Sequence, residues 1–434
     1  MKTFKVFLLS IITIITLTSC TFSASVESLL SPPTLSEEQR QIYQALTDKV
    51  GTKVSLKYPK AGSYLSAFVI ADIDDEPTDE AIVFYERNGI TADEISLRIN
   101  ILDKRDEKWS SVYDSPANGT EVEKVIISKL GSSQLTNIIV GYNMSQGEKN
   151  LSVYNYSDGI LNQSYSDVYS LTDVCDIDSD GLSELIVITG NSASGTAEAK
   201  LLKLDENGQY LKYRTPMNES SIDYSQYLYS GNSDGTRTII IDSVIGTNTI
   251  QTEILSPSEN DALIYSLNSE SLIETVRQSS YLSCDIDNDG IVEIPSSNVF
   301  AGYGELSETE QITMTDWLAY EDGILYRKYS GYYNINDGYA FMMPERWYGN
   351  VTVKIDSFSD EIVFYRYNNS IDESTSELMR ISVINSADDS GKIREGYKLV
   401  HSQGDKEYFV MVPENSSDEL IPTVSEILCG FKFI

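Results

Sequence analysis

Apolar positions along the chain change pattern from one stretch to the next. Val6 to Leu17 is a mostly apolar run behind Lys2 and Lys5. It is too short to span a bilayer comfortably and matches the core of a signal peptide. Ile42, Leu46 and Val50 then share one helical face. Ser36-Glu37-Glu38-Gln39 fits a capping box with Leu35 as its staple, and Gly51 is a helix stop, so a first helix is expected there. From about residue 58 the pattern shifts to short β-like stretches, among them Ile95 to Leu102, Leu151 to Tyr156, Ala199 to Leu204 and Trp317 to Tyr329. Many are bounded by Asp-Gly or Asn-Gly turns, at Asp158, Asn207 and Asp322. Beyond residue 330 come strand-like Val351 to Ile355, Glu361 to Tyr367 and Leu378 to Ile384. A hairpin of Tyr397 to His401 and Tyr408 to Val412 follows across Gly404-Asp405. A last helix is expected over Asp418 to Leu428, with Leu420, Ile421, Val424, Ile427 and Leu428 on one side.

Within the β-rich stretch three segments align without gaps: Asp72 to Glu80, Asp176 to Glu184 and Asp285 to Glu293. Each reads D-x-D-x-[DE]-x-x-x-E between apolar residues. Their separations, 104 and 109 residues, are each twice about 52–54, so another unit is expected midway in each gap. Ile127 to Val140 supplies the first, keeping the strand–turn–strand pattern without the acids. Ile239 to Asp242 through Thr252 to Leu255 is the weaker candidate for the second. Five units of roughly 50 residues, each with about four strands, are the signature of a β-propeller, because a single sheet cannot bury both of its faces. Leu318 to Tyr326 would supply outer strands of the last blade. The expected fold is therefore mainly β: a β-propeller of about five blades over residues 58–330, then a small α+β domain over 331–434.

The repeated acids suit a hard cation. Calcium takes six to eight oxygens, and alternate residues of a tight loop can aim carboxylates at one point. The candidate ligands are Asp72, Asp74, Glu76 and Glu80; Asp176, Asp178, Asp180 and Glu184, with Ser183 nearby; and Asp285, Asp287, Asp289 and Glu293. Without a cation, carboxylates this close repel one another. An Asx-rich hairpin with solvated acids is the plainer alternative. The three turns resemble the FG-GAP/VCBS-type repeats of integrin-like propellers, which implies structural calcium. The chain departs from that pattern in the second and fourth units, where the ligands are missing, and at Pro77, which stands where the other two turns have glycine.

Composition narrows the function. Acidic side chains number 66 against 32 basic ones, a net charge of −34 over 434 residues, which argues against binding phosphate backbones. Hydrophobic residues make up 41%, enough for real cores, so the charge is not a sign of disorder. A single histidine, His401, argues against a Ser-His-Asp hydrolase and rules out sites built on two histidines. His401 sits in an expected strand and reads as structural. Trp109, Trp317 and Trp347 read as core in preference to a sugar platform. Past Cys20 there are three cysteines, Cys175, Cys284 and Cys429, so no complete disulfide framework is implied, and they read as small buried hydrophobes.

Leu17-Thr18-Ser19-Cys20 resembles the bacterial lipoprotein box, which implies a signal peptide over 1–19 and diacylation of Cys20. Two acyl chains give stable membrane anchoring. Residues 20–57 would then be a Ser/Pro-rich tether and the first helix. Phe341, Pro344 and Trp347, with the order of elements after them, resemble Mog1/PsbP-like domains, which implies a non-catalytic module. Together these readings point to an extracytoplasmic, lipid-anchored binding or scaffold protein. Its partners would be the membrane through Cys20 and an envelope protein or glycan, with no nucleic acid. A carboxylate-dependent glycoside hydrolase or carbohydrate-binding propeller is the alternative.

Overall fold

A computed structural model describes residues 35–87, 96–145, 147–191, 196–258, 262–385, 396–414 and 418–433. The signal peptide, Cys20 and the tether up to residue 34 lie outside the described residues. Among the described residues no helix is long and apolar enough to cross a membrane. Helix α1 (Glu37–Val50) opens on the expected Ser36/Gln39 capping box and ends at Gly51. It buries Ile42 and Leu46 against Phe68, Val83, Tyr85 and Trp109 of the first sheet.

Five antiparallel sheets follow in chain order. The first holds β1 (Val54–Lys57), β2 (Phe68–Ala71), β3 (Glu80–Arg87), β4 (Leu97–Arg105) and β5 (Lys108–Pro116), with β1 and β2 pairing in tandem along one edge of β3. The second holds β6 (Glu121–Lys129), β7 (Thr136–Asn143), β8 (Lys149–Ser157) and β9 (Ile160–Val168). The third holds β10 (Leu171–Cys175), β11 (Glu184–Thr189), β12 (Glu198–Leu204) and β13 (Tyr210–Pro216). The fourth holds β14 (Asp223–Gly231), β15 (Arg237–Gly246), β16 (Thr249–Pro257), β17 (Leu263–Tyr265) and, after the short helix α2 (Ser269–Glu274), β18 (Arg277–Gln278). In the fifth, the first strand shrinks to a bridge between Cys284 and Glu293, and β19 (Ile294–Val299), β20 (Thr313–Glu321), β21 (Ile324–Asn334) and β22 (Tyr339–Met342) complete it.

Strand β11 is buried at every position, as a sheet stacked between two neighbours requires. Alternate residues serve opposite cores: Ile82 and Phe84 of β3 face the second sheet, whereas Val83 and Tyr85 face α1. Separate apolar cores join the first sheet to the second, the second to the third, the third to the fourth and the fourth to the fifth. On its other side the fifth sheet shares a core with the C-terminal unit through Met314, Tyr339 and Phe341. Among the described residues no such core, hydrogen bond or ion pair joins the first sheet to the fifth.

The mainly β fold of repeated four-stranded units is thus the one the sequence pattern predicts. The fourth unit is set differently from the expectation. Ile239 to Asp242 and Thr252 to Leu255 lie on its two central strands, and the turn equivalent to the acidic ones is the short Asn232 to Thr236. The expected boundary at residue 330 falls inside β21, and β22 also belongs to the fifth sheet.

The C-terminal unit has one sheet of β23 (Val351–Asp356), β24 (Glu361–Arg366), β25 (Glu377–Asn385), β26 (Tyr397–Gln403) and β27 (Lys406–Met411), in the order β23-β24-β25-β27-β26. Its helix is shorter than expected. Pro422 disfavours helix before it, and Thr423 with Glu426 forms a capping box, so α3 runs only from Val424 to Gly430. The chain then returns as β28 (Phe431–Phe433) and pairs with β22 on the edge of the fifth sheet.

Candidate functional site

Each acidic turn joins two paired segments of its sheet, β2 to β3 in the first, β10 to β11 in the third and Cys284 to Glu293 in the fifth. The residue between the first two aspartates is isoleucine in all three, and Ile73, Ile177 and Ile286 are buried in the cores beneath. Each isoleucine N–H donates to Oε2 of the closing glutamate, at 3.0 Å for Glu80, 3.0 Å for Glu184 and 2.9 Å for Glu293. The ninth position is thereby pinned under the turn, at most 1% exposed. The fourth position is left-handed in every copy, with φ of 63° at Asp75, 60° at Ser179 and 61° at Asn288. In the sixth, Gly181 and Gly290 are also left-handed, and their N–H groups donate to Asp176 Oδ2 at 3.1 Å and Asp285 Oδ2 at 2.8 Å. Pro77 can offer neither that conformation nor that donor. In the first turn the Asp75 N–H binds the leading aspartate instead, at 2.8 Å to Asp72 Oδ1.

Three of the four expected carboxylates in each turn place oxygens within 4.8 Å of one another: Asp72, Asp74 and Glu80; Asp176, Asp178 and Glu184; Asp285, Asp287 and Asp289. Glu76, Asp180 and Glu293 fall outside these groups, and Glu76 and Asp180 are both exposed. Groups gathered in this way could hold a metal ion. The three turns differ in which cations the protein itself supplies.

In the first turn no lysine or arginine pairs with Asp72, Asp74 or Glu80 among the described residues. Burial first, then the charges of Asp74, Asp103 and Asp72, push the Glu80 carboxyl up to about 7. This donor set fits a hard divalent cation. In the second turn Lys203 of β12 sends Nζ to Asp178 Oδ2 at 2.6 Å and to Glu184 Oε1 at 3.5 Å. Asp176 Oδ1 and Glu184 Oε1 are nevertheless buried without a hydrogen-bond partner, and burial pushes Glu184 up to about 7. In the third turn Lys328 of β21 reaches Asp289 Oδ2 at 2.7 Å, Glu293 Oε1 at 2.7 Å and Asp287 Oδ2 at 3.0 Å. Burial disfavours the charge of Asp287, but hydrogen bonds from Tyr329 and Lys328 outweigh it and hold that carboxyl below its usual range.

Asp103, Lys203 and Lys328 are the residues that local sequence reasoning misses. They lie on strands that reach the turn only through sheet register. Ala81 faces Leu102 and Leu185 faces Leu202, so the residues that follow, Asp103 and Lys203, hold the same register position with opposite charge.

The turns also bond to one another. Lys129 of the second unit pairs with Asp75 at 2.8 Å. Gly131 N–H donates to Ser183 O at 2.8 Å, which gives that carbonyl a protein partner. Arg237 N–H donates to Ile177 O, and Gly231 N–H to Gly290 O, each at 2.9 Å. One rim of the array is therefore a continuous seam of turns.

The other singled-out residues are structural. Trp109, Trp317 and Trp347 are buried, and His401 stacks on Phe433 at 3.8 Å. Cys175, Cys284 and Cys429 are free thiols, and Cys429 is exposed, not buried as its composition-based reading expects, because it lies on the outer face of α3.

Glu80 and Glu184 couple pH to stability. Both bind a proton more tightly folded than unfolded. Their contribution is fully present below the ordinary value of 4.5 and is lost as pH rises through about 7. In chelator the melting temperature is expected to fall from about pH 5 to about pH 8. Glu80→Gln should flatten part of that slope, and scanning calorimetry across the range checks both.

A cleft of about 580 Å³ opens between the fourth and fifth sheets, beside the third turn. Asn232, Asp234, Tyr320, Asp322 and Tyr326 line it.

No family model matches the chain, and no curated protein does. Solved structures resemble it distantly. A protein described as a putative 6-phosphogluconolactonase from Bacteroides uniformis is 12% identical over 74% of this chain and 90% of that one, with a TM-score of 0.30. The periplasmic gluconolactonase PpgL of Pseudomonas aeruginosa is 13% identical over 75% and 88%, with a TM-score of 0.26. The exotype rhamnogalacturonan lyase YesX is 10% identical over 70% of this chain, which spans only 60% of the lyase, with a TM-score of 0.25. Likenesses this distant carry no argument about activity.

Proposed function

We propose that the chain is an extracytoplasmic binding or scaffold protein, anchored to the membrane through a lipid on Cys20 and without catalysis. The supporting observation is how the acids are used. The closing glutamates are at most 1% exposed and each accepts a backbone N–H, so no substrate reaches them. The clustered oxygens lie within 4.8 Å of one another. In this reading the turns staple neighbouring units together. Calcium, by its preference for carboxylate oxygens, is the ion assigned to Asp72, Asp74 and Glu80.

The ligand face is the cleft beside Tyr320 and Tyr326, where one aromatic face and several acids suit a polar ligand such as an envelope glycan or a protein segment. Capture from an envelope fraction tests this. The full chain should retain a specific glycan or protein that Tyr326→Ala loses, and Cys20→Ser should release the protein from membranes. Recovery of nothing specific would count against the binding role. Glycan turnover abolished by a single Asp or Glu substitution would favour the glycoside hydrolase.

A further inference from the structure

We propose that Lys328 is a built-in counter-ion that stands where a metal would sit in the third turn, so that this turn closes without a divalent cation. The observation is a full accounting of carboxylate oxygens. Asp285 accepts from Asp289 N–H at 3.0 Å through Oδ1 and from Gly290 N–H at 2.8 Å through Oδ2. Asp287 accepts from Asp289 N–H at 3.3 Å through Oδ1, and from Tyr329 Oη at 2.6 Å and Lys328 through Oδ2. Asp289 accepts from Ile291 N–H at 2.9 Å through Oδ1 and from Lys328 through Oδ2. Glu293 accepts from Ile286 N–H through Oε2 and from Lys328 through Oε1. Every oxygen of the four expected ligands has a donor from the protein.

Lysine has three N–H donors and no acceptor, and here it meets three carboxylates, one for each donor. A calcium ion needs six to eight oxygens. To gather them it would have to displace an ammonium held by three acids, one of them Glu293, which is fully buried. Burial works against the lysine's charge, but its hydrogen bonds to Asp289, Glu293 and Asp287 outweigh that and raise its pKa well above the usual lysine range.

The other two turns supply the contrast. The second leaves Asp176 Oδ1 and Glu184 Oε1 without hydrogen-bond partners, and its lysine holds Asp178 closely at 2.6 Å but Glu184 and Asp180 only at 3.5 and 3.9 Å. The first has Asp103 at the register position of Lys203. Three copies of one loop thus differ in the cation they call for, and strands outside the loop decide it. The inference does not rest on the binding role proposed above, and ion counting tests it separately from capture.

The experiment counts calcium bound per chain by mass spectrometry of the full-length protein in detergent, after dialysis against calcium. Asp289→Asn is expected to leave the count unchanged, because no ion depends on Asp289. Lys328→Met is expected to raise the count by one and to make the melting temperature rise with added calcium. Loss of one ion in Asp289→Asn would overturn the proposal. So would a folded Lys328→Met protein with an unchanged count. If Lys328→Met does not fold, the conservative Asp289→Asn variant decides alone.

Discussion

Arg277→Met is expected to cost about 3–5 kcal/mol, the penalty for stranding a buried charge. Arg277 is the centre of a polar network inside the fourth sheet, with its side chain 3% exposed. Its guanidinium donates to Asp242 Oδ1 at 2.7 Å, Thr252 Oγ1 at 2.8 Å, Thr275 O at 2.7 Å and Ser283 Oγ at 2.9 Å, and its Nε donates to Tyr281 O. All five of its donors are therefore engaged. Asp242 is fully buried, and burial opposes its charge; the arginine and the Ser283 and Thr252 donors outweigh that and hold its pKa down. Methionine fills a similar volume but leaves that carboxylate without a cation. Arg277→Lys should rescue little, because an ammonium cannot reproduce the planar fork. Urea denaturation of the single variants and of Arg277→Met with Asp242→Asn measures the coupling. If Arg277→Met alone costs less than about 1 kcal/mol, water reaches the site and the network is not the lock described.

Trp347→Ala is expected to cost a similar amount, about 3–5 kcal/mol, by opening a cavity in the C-terminal core. Trp347 is fully buried, with ring centroids 5.2 Å from Phe364 and 6.0 Å from Phe341. Its Nε1 donates to Leu420 O at 2.6 Å, tying the turn before β23 to the segment before α3. Trp347→Phe should keep most of the packing and lose that bond, at about 1–3 kcal/mol for an unpaired buried carbonyl. Phe341 belongs to β22 of the fifth sheet, so the damage should extend past the C-terminal unit. Hydrogen exchange on β22 and on β24 should therefore accelerate together in Trp347→Ala. Exchange that rises in β24 alone would show that the two sheets open independently.

Much of this architecture was legible because its information is local. The acidic turns repeat one backbone path, with an aspartate, a buried isoleucine and a left-handed fourth residue, and that path needs the same side chains each time. The second unit stayed visible without acids because its strands kept their alternation. The fourth was misplaced because its turn, Asn232 to Thr236, is shorter and leaves little for a gapless alignment to match. The cations in the site were not legible at all. Lys203 and Lys328 come from different strands of their sheets, and no spacing rule carries a residue across a β-ladder. Glu76, Asp180 and Asp289 share one position of the repeat, yet only Asp289 joins its cluster. Nor could three residues at the chain's end announce that β28 would dock on the fifth sheet.

The described cores run as a series, with α1 covering one end and the C-terminal unit the other. That has a consequence for how this protein can change over time. Among the described residues α1 and the C-terminal unit act as dedicated lids on two of the sheet faces. Each sheet answers only to its neighbours, and stability is then close to a sum of unit and interface terms. Duplication or loss of a middle unit would change the number of units while leaving both lids seated on the surfaces they already fit.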